Sequence, residues 1–142
     1  MATQFSICLW HDDAKTMAQY YQRIFSDFKL ISENPIAVVF EMTGQRFMCL
    51  NNCMPNLNFN EKISLVLSVD SQEEIDCYWD YFTKEGQAGQ CGWLKDKYGV
   101  SWQIVPSILG KLMTNPETAP KAAYAFMQMS KFDIAKLEEA VK

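Results

Sequence analysis

The sequence is poor in the residues that most metal and acid–base centres use. It contains one histidine, His11, and its five cysteines form no CxxC pair and no zinc-type spacing with a histidine. Lys and Arg number 13 against 17 Asp and Glu, which leaves a net charge of -4 and no basic cluster. This balance disfavours nucleic acid as a partner. No apolar run approaches the roughly 20 residues that span a bilayer, so no membrane partner is expected either.

Signals of several common enzyme and export classes are also missing. The chain has no GxSxG nucleophile elbow, no phosphate-binding loop and no glycine-rich strand-to-helix turn that would hold a methyl donor. It does not begin with a basic segment followed by a cleavable apolar stretch. Because no export signal is seen and the cysteine number is odd, reduced thiols and a cytoplasmic location are expected. The cysteines are Cys8, Cys49, Cys53, Cys77 and Cys91.

The sequence does contain an internal repeat with an offset of 58 residues. The segment that begins at Phe5 aligns without a gap with the segment that begins at Ile63, which places Ser6 opposite Ser64. Each copy reads as an apolar strand, a capping residue and an amphipathic helix. Two copies of one supersecondary unit predict a duplicated α+β fold.

Turn and capping residues divide the chain into predicted elements. Asp12 or Asp13 is expected to cap the first helix, and Ser71 with Glu74 forms a capping box for the second. Gly86 suits the C-terminal cap of that second helix. The predicted strands are 5–10, 36–42, 46–51, 63–69, 90–95 and 100–105, with a hairpin turn at 43–45 and another at 96–99. Tail helices are expected over 122–129 and after Asp133.

These elements predict one domain over residues 1–142. Its first module covers about 5–51, its second about 63–106, and a helical tail about 107–142. The stretch 52–60, with Pro55 and four asparagines, is interpreted as the connection between the modules.

Three stretches of the sequence carry a family resemblance. They are Cys8-Leu9-Trp10, the helical segment 74–79 and, above all, the string 89–106, which reads GQCGWLKDKYGVSWQIVP; the tail string 127–134 also contributes. On these residues the chain resembles the vicinal oxygen chelate superfamily of glyoxalases, bleomycin-resistance proteins and extradiol dioxygenases. It is most similar to the PhnB-like branch, often labelled demethylubiquinone methyltransferase-like. The resemblance covers essentially the whole chain and implies two βαβββ modules that form a cupped mixed sheet, with added C-terminal helices.

The resemblance also implies where a metal would bind. Metal-using members of the superfamily take four ligands, His, Glu or Gln, from two strand positions in each module. Carried over one position at a time, these places hold Ser6, Met48, Ser64 and Gln103, and a one-residue slip would replace Met48 by Cys49. Two hydroxyls, a thioether and an amide lack the imidazole and carboxylate donors that such ions prefer. The prediction is therefore that no metal and no other cofactor is bound.

A ligand pocket is predicted on the cup side of the strands. Trp10 shares a strand face with Ser6 and Cys8 by alternation, so the predicted lining is Ser6, Cys8, Trp10, Met48, Ser64 and Gln103. His11 has the opposite register, which favours a polar loop residue over a general base oriented by Asp12 or Asp13. No catalytic residue is predicted.

Two functions remain open at the level of the sequence. The first is a small-molecule binding protein without metal, in which Ser6, Ser64 and Gln103 orient the ligand. The alternative is an enzyme of the superfamily, a lyase, isomerase or dioxygenase, with a non-standard metal site or none; Glu41 is the nearest carboxylate. A homodimer is also predicted, because sheet edges and apolar surface need cover and related proteins commonly pair their modules. The apolar tail could seal either its own chain or the partner.

Overall fold

The computed structural model describes residues 1–52, 54 and 56–142. It divides into two compact units, Met1–Leu57 and Asn58–Lys142. Cys53, one of the five predicted reduced thiols, and Pro55, in the predicted connection, lie outside the described residues. Among the residues described, no helix is both long enough and apolar enough to cross a bilayer.

The first unit is a four-stranded mixed sheet with one helix against it. Its elements are β1 (Ser6–His11), α1 (Ala14–Gln22), β2 (Lys29–Glu33), β3 (Ala37–Met42) and β4 (Gln45–Asn51). The strand order is β1-β4-β3-β2, with β1 parallel to β4 and the other neighbours antiparallel. The hairpin turn predicted at 43–45 is present but one residue shorter. Thr43 and Gly44 form it, both with positive φ, 50° and 76°, as in a type I′ turn, and Gln45 already belongs to β4.

Capping and alternation place the core of the first unit. Asp13 caps α1, since its carboxylate accepts a hydrogen bond from Thr16 N at 3.1 Å. One face of the sheet packs against α1 and is apolar at every second position. The buried side chains of this core include Leu9, Met17, Tyr21, Val38, Phe40, Met42, Phe47 and Cys49. The opposite face of the sheet has no helix of this unit against it.

The second unit repeats this topology. Its elements are β5 (Leu65–Val69), α2 (Gln72–Lys84), β6 (Gln87–Ala88), β7 (Trp93–Lys95), β8 (Ser101–Pro106), α3 (Ile108–Thr114), α4 (Ala119–Phe126) and α5 (Ile134–Ala140). The strand order β5-β8-β7-β6, with β5 parallel to β8, matches that of the first unit. The predicted duplicated α+β fold is confirmed. The short strand β6 was not predicted, because two residues leave no periodicity to detect.

Helix α2 begins at its predicted capping box. Ser71 Oγ accepts a hydrogen bond from Glu74 N at 3.2 Å and donates one to Glu74 Oε1 at 3.0 Å. Ile75, Trp79 and Phe82 are buried, and Phe82 stacks on Trp102 of β8 with 4.8 Å between ring centroids. Trp102 therefore lies on the face of the second sheet that packs against α2.

The prediction that Gly86 caps the C-terminus of α2 is wrong. Helix α2 ends at Lys84 with Glu85 as its C-cap, and Gly86 is not among the glycines with positive φ. A Cβ at Gly86 would instead meet the carbonyl oxygen of Lys95 at 2.1 Å and that of Phe82 at 2.5 Å. Glycine is required there because β7 and the end of α2 approach one another too closely for a side chain.

The hairpin between β7 and β8 is organised by a buried carboxylate. Asp96 is 2% exposed. Its Oδ1 accepts hydrogen bonds from Tyr98 N at 2.9 Å and Val100 N at 3.1 Å, and its Oδ2 accepts one from Trp102 Nε1 at 2.9 Å. A charged group is tolerated in this buried position because N–H donors surround it.

The tail packs on its own unit. Cys91 N and Gly92 N donate hydrogen bonds to the carbonyl oxygens of Met129 and Ser130, each at 2.8 Å. The ring of Phe132 lies over Gly92, so closely that a Cβ there would come within 2.6 Å of a ring carbon. These contacts place the tail on its own unit. That it also covers a partner in a homodimer stays a prediction.

Gln72 at the start of α2 holds the same tail segment. Its Nε2 donates to the carbonyl oxygen of Phe132 at 2.9 Å, and its Oε1 accepts from Ile134 N at 2.8 Å. Asp133 then caps α5, as predicted, by accepting a hydrogen bond from Lys136 N at 3.1 Å.

Candidate functional site

Each sheet has one face turned away from the helix of its module, and most of the predicted site residues lie on these two faces. In the first unit this surface, the first open face, carries Ser6, Cys8 and Trp10 of β1 and, by strand register, Arg46 and Met48 of β4. The exposure alternates along β1: Leu9 is 5% exposed towards α1, whereas Trp10 is 44% exposed. A large aromatic side chain with so much exposed area is a candidate for ligand contact.

The strand register resolves which residue of β4 matches Gln103. Cys8 pairs with Met48, and Val66, which lies 58 residues after Cys8, pairs with Gln103. Met48 and Gln103 therefore hold equivalent places in the two units. Cys49, the residue one slip away, is fully buried in the core against α1.

The second open face carries the other two predicted residues. Gln103 of β8 lies in register between Val66 of β5 and Trp93 of β7. Its Nε2 donates a hydrogen bond to Ser64 Oγ at 3.0 Å. The structure thus brings Ser64 and Gln103 together on one sheet, and Ser6, Cys8, Trp10 and Met48 together on the other. That both groups line one pocket stays a prediction.

The donor set on these faces does not fit a divalent metal. Within residues 1–52, 54 and 56–142, no three His, Cys, Asp or Glu side chains gather where they could hold one ion. The positions that the family resemblance assigns to ligands offer only neutral hydroxyl, thioether and amide groups, and Gln103 already hydrogen-bonds to Ser64. Neutral groups of this kind compensate poorly for the hydration shell of a hard divalent cation.

Glu41, the nearest carboxylate in the sequence argument, lies on the first open face in an ion pair. Glu41 of β3 is in register with Arg46 of β4, and Arg46 Nη2 lies 3.3 Å from Glu41 Oε2. The Nε of Arg46 is buried and has no hydrogen-bond partner in the described part of the chain. The pair gives this face a fixed polar group beside the side chains of Ser6, Cys8, Trp10 and Met48.

His11 lies at the end of β1, in the register of Leu9 and not of Trp10. Its Nε2 is 3.2 Å from Asp12 Oδ1, and both side chains belong to the junction between β1 and α1. The placement agrees with the interpretation of His11 as a junction residue.

Although Cys8 is exposed as a residue, its thiol should react slowly as a nucleophile. Burial of the sulfur raises the pKa of the Cys8 thiol, and a side-chain hydrogen bond from Trp10 offsets only part of this rise. At pH 7 to 8 the folded chain should therefore hold less Cys8 thiolate than the unfolded chain does. We expect iodoacetamide to alkylate Cys8 more slowly in the native protein than in urea, with the native rate rising at more alkaline pH. Peptide mass spectrometry gives both rates, and an equal pH midpoint in the two states would contradict this expectation.

The sequence argument missed the polar residues beside Gln103 on the second open face. Gln87, Lys95 and Ser101 form one row across β6, β7 and β8, next to the row of Trp93 and Gln103. A cavity of about 250 Å³ opens over these strands. The signal was present in the string 89–106, because residues at every second position share the face of Gln103. The pairing of β7 with β8 was needed to show that these residues lie side by side.

The family profile and a solved structure that match this chain agree on one family. A family profile described as 3-demethylubiquinone-9 3-methyltransferase matches residues 3–105. The solved structure of a PhnB protein from Bacillus cereus, named after the same methyltransferase, is 26% identical, covers 74% of this chain and 100% of its own, and superposes with a TM-score of 0.67. No curated protein matches the chain in sequence.

More distant structures share the fold. A glyoxalase/bleomycin resistance protein/dioxygenase family enzyme from Burkholderia phytofirmans is 15% identical over 70% of this chain and 94% of its own, with a TM-score of 0.56. The fosfomycin resistance protein FosX from Listeria monocytogenes is 15% identical over 78% of this chain and 98% of its own, with a TM-score of 0.60. At 15% identity these two structures support the shared fold and nothing further.

Proposed function

Because this chain belongs to the PhnB-like 3-demethylubiquinone-9 3-methyltransferase family, within the glyoxalase/bleomycin resistance/dioxygenase superfamily, we propose that it binds a small organic molecule without a metal ion. The observation that carries the proposal is the 3.0 Å hydrogen bond from Gln103 Nε2 to Ser64 Oγ. It joins, as a neutral pair, two positions that the family resemblance assigns to metal ligands.

A neutral pair of this kind suits recognition of a ligand's polar group. Gln103 still offers its second amide hydrogen and its carbonyl oxygen, and Ser64 offers its hydroxyl hydrogen. Ligand pockets commonly combine a few such placed polar groups with a larger apolar lining. On the first open face the apolar contribution is the 44% exposed Trp10 beside Met48 of the neighbouring strand.

The relatives' activities do not carry over through the residues present. FosX of Listeria has been solved with Mn(II) and sulfate, but this chain has neutral groups at the places assigned to ligands. No methyl-donor motif supports the methyltransferase name. The carboxylates on the open faces are engaged in ion pairs, Glu41 with Arg46 and Glu61 with Lys95. A hydrogen bond from Lys95 lowers the pKa of Glu61, which makes it a weak general base.

Native mass spectrometry and elemental analysis of the purified protein test the proposal together. We expect a co-purifying small molecule, or binding from a compound library, and no stoichiometric divalent ion. Trp10→Ala should remove most of the binding while changing the free energy of unfolding by about 1 kcal/mol or less, because Trp10 is substantially exposed. Tyr124→Ala is the matched control, since Tyr124 is a 75% exposed aromatic residue of α4.

Two results would overturn this function. One is a stoichiometric divalent ion that disappears in Gln103→Ala. The other is the absence of any bound molecule in native spectra together with no hit from the library.

A further inference from the structure

The cavity of about 250 Å³ on the second open face is lined by residues of β6, β7 and β8 and by one residue that precedes β5. The lining residues that matter chemically are Gln87, Trp93, Leu94, Lys95, Ser101 and Glu61. None of them was predicted as a site residue. The volume lies just below the range of about 300–1,000 Å³ typical of ligand pockets, so it suits a compound smaller than a drug.

Ser101 supplies the cavity with a hydroxyl group that has no hydrogen-bond partner among the described residues. The residue is 2% exposed, and its Oγ is buried without a hydrogen-bond partner among the residues that the structure describes. Buried hydroxyls are nearly always paired, and an unpaired one destabilises the fold. Ser101 lines the cavity and shares its row with Lys95. A bound molecule would supply the missing partner.

Lys95 gives the cavity a cation whose present partner is weakly held. Lys95 Nζ forms an ion pair with Glu61, which lies outside any strand and whose side chain is 59% exposed. Exposed ion pairs contribute little to stability, so the anionic group of a ligand can displace the Glu61 carboxylate at small cost. Glu61 thus occupies the place that an anionic ligand group would take.

The indole of Trp93 supplies the apolar part of the lining on this face, because Leu94 is 2% exposed and lies on the opposite face with Trp102. Trp93 lies two residues before Lys95 on β7, hence on the same face, and its side chain is half-buried. An aromatic ring gains both apolar burial and ring contact against indole. The cavity therefore combines one cation, one unpaired hydroxyl and one aromatic wall within a small volume.

We propose that this cavity binds a small aromatic carboxylate, with the carboxylate on Lys95 in place of Glu61, a polar ring substituent on Ser101 and the ring against Trp93. The inference rests on the proposed function, because it names the ligand class for one of the two open faces. Release of Glu61 accompanies binding, so this residue acts as an internal competitor.

Calorimetric titration of the full-length chain with benzoate, 3-hydroxybenzoate and the neutral 3-hydroxybenzyl alcohol tests the assignment. Both carboxylates should bind and the alcohol should bind at least tenfold more weakly, because a charge-assisted hydrogen bond is lost. Lys95→Gln should weaken benzoate at least tenfold, and Lys95→Arg should keep the affinity within a few fold. Glu61→Gln should tighten benzoate about two- to fivefold, since the competitor is removed.

Ser101→Ala separates recognition from stability. It should abolish the preference for 3-hydroxybenzoate over benzoate, while the midpoint of urea unfolding stays the same or rises because an unpaired buried hydroxyl is removed. A purely structural serine would give the opposite pattern, with unchanged preference and a lower midpoint.

The outcomes distinguish this inference from the proposed function. Equal benzoate affinity in the native chain and Lys95→Gln, or weaker binding in Glu61→Gln, would overturn the assignment. Failure of both carboxylates at millimolar concentration would also overturn it, and the proposed function would still stand if native spectra held another molecule. Only the absence of every bound molecule would remove both.

Discussion

Phe132→Ala should lower the free energy of unfolding by about 3–5 kcal/mol, the usual cost of truncating a buried phenylalanine. Phe132 is 1% exposed, its ring covers Gly92, and it packs against Phe126 with 5.8 Å between ring centroids. The loss should be local first, because the same ring holds the tail segment over the amides of Cys91 and Gly92.

Urea unfolding gives the change in free energy, and native-state hydrogen exchange locates it. The amides of Cys91 and Gly92 donate to Met129 and Ser130 of the tail, so their protection should fall more than that of Ile75 in α2. Met127→Ala is the control, since Met127 is 64% exposed in the same segment and should cost about 0.5 kcal/mol or less. Equal losses in the two variants would contradict the role given to the ring.

Asp96→Ala should destabilise the second unit by about 3 kcal/mol or more. The substitution removes the acceptor of Tyr98 N, Val100 N and Trp102 Nε1, and each buried donor left unpaired costs about 1–3 kcal/mol. The hairpin between β7 and β8 depends on these bonds, so the whole second open face should lose order with it.

Chemical unfolding of this variant should be compared with Asp80→Ala, which removes an exposed carboxylate from α2. The surface change should stay within about 0.5 kcal/mol. Trp fluorescence provides a second readout, because the indole N–H of Trp102 loses its Asp96 partner. An Asp96→Ala variant as stable as Asp80→Ala would refute the organising role of this carboxylate.

Local signals in the sequence were sufficient for the repeated architecture. The turn at 43–45 was predicted because Gly44 lies between two apolar strand patterns. Ser71 and Asp133 predicted helix starts because their oxygens accept the first free N–H groups. The family resemblance, carried over one position at a time, placed Met48 opposite Gln103 in the duplicated pattern. The strand pairs of Cys8 with Met48 and Val66 with Gln103 agree with it.

Features that depend on contacts between distant segments could not be predicted. Lys95 and Ser101 become neighbours only through the hairpin register, and Glu61 reaches them from a segment without periodicity. Cys91 has a φ of 58°, which a cysteine rarely adopts, and the tail's hydrogen bonds help hold it there. Gly86 was assigned to a cap because no local pattern reveals the approach of the Lys95 carbonyl.

The tail lies outside the family match, yet the second unit depends on it to fold. The family profile ends at residue 105, before α3 begins, so its match includes α1, α2 and nearly all of the two sheets but not the tail. Yet the main-chain N–H groups of Cys91 and Gly92 donate to carbonyl oxygens beyond that boundary. The Gln72 side chain binds Phe132 and Ile134 there, in addition to Asp76 within α2. A chain cut at the end of the family match would retain the strands. Without the ring of Phe132, however, the surface over Gly92 would be exposed to water. The tail is thus a structural requirement of the part of the chain that the family profile matches.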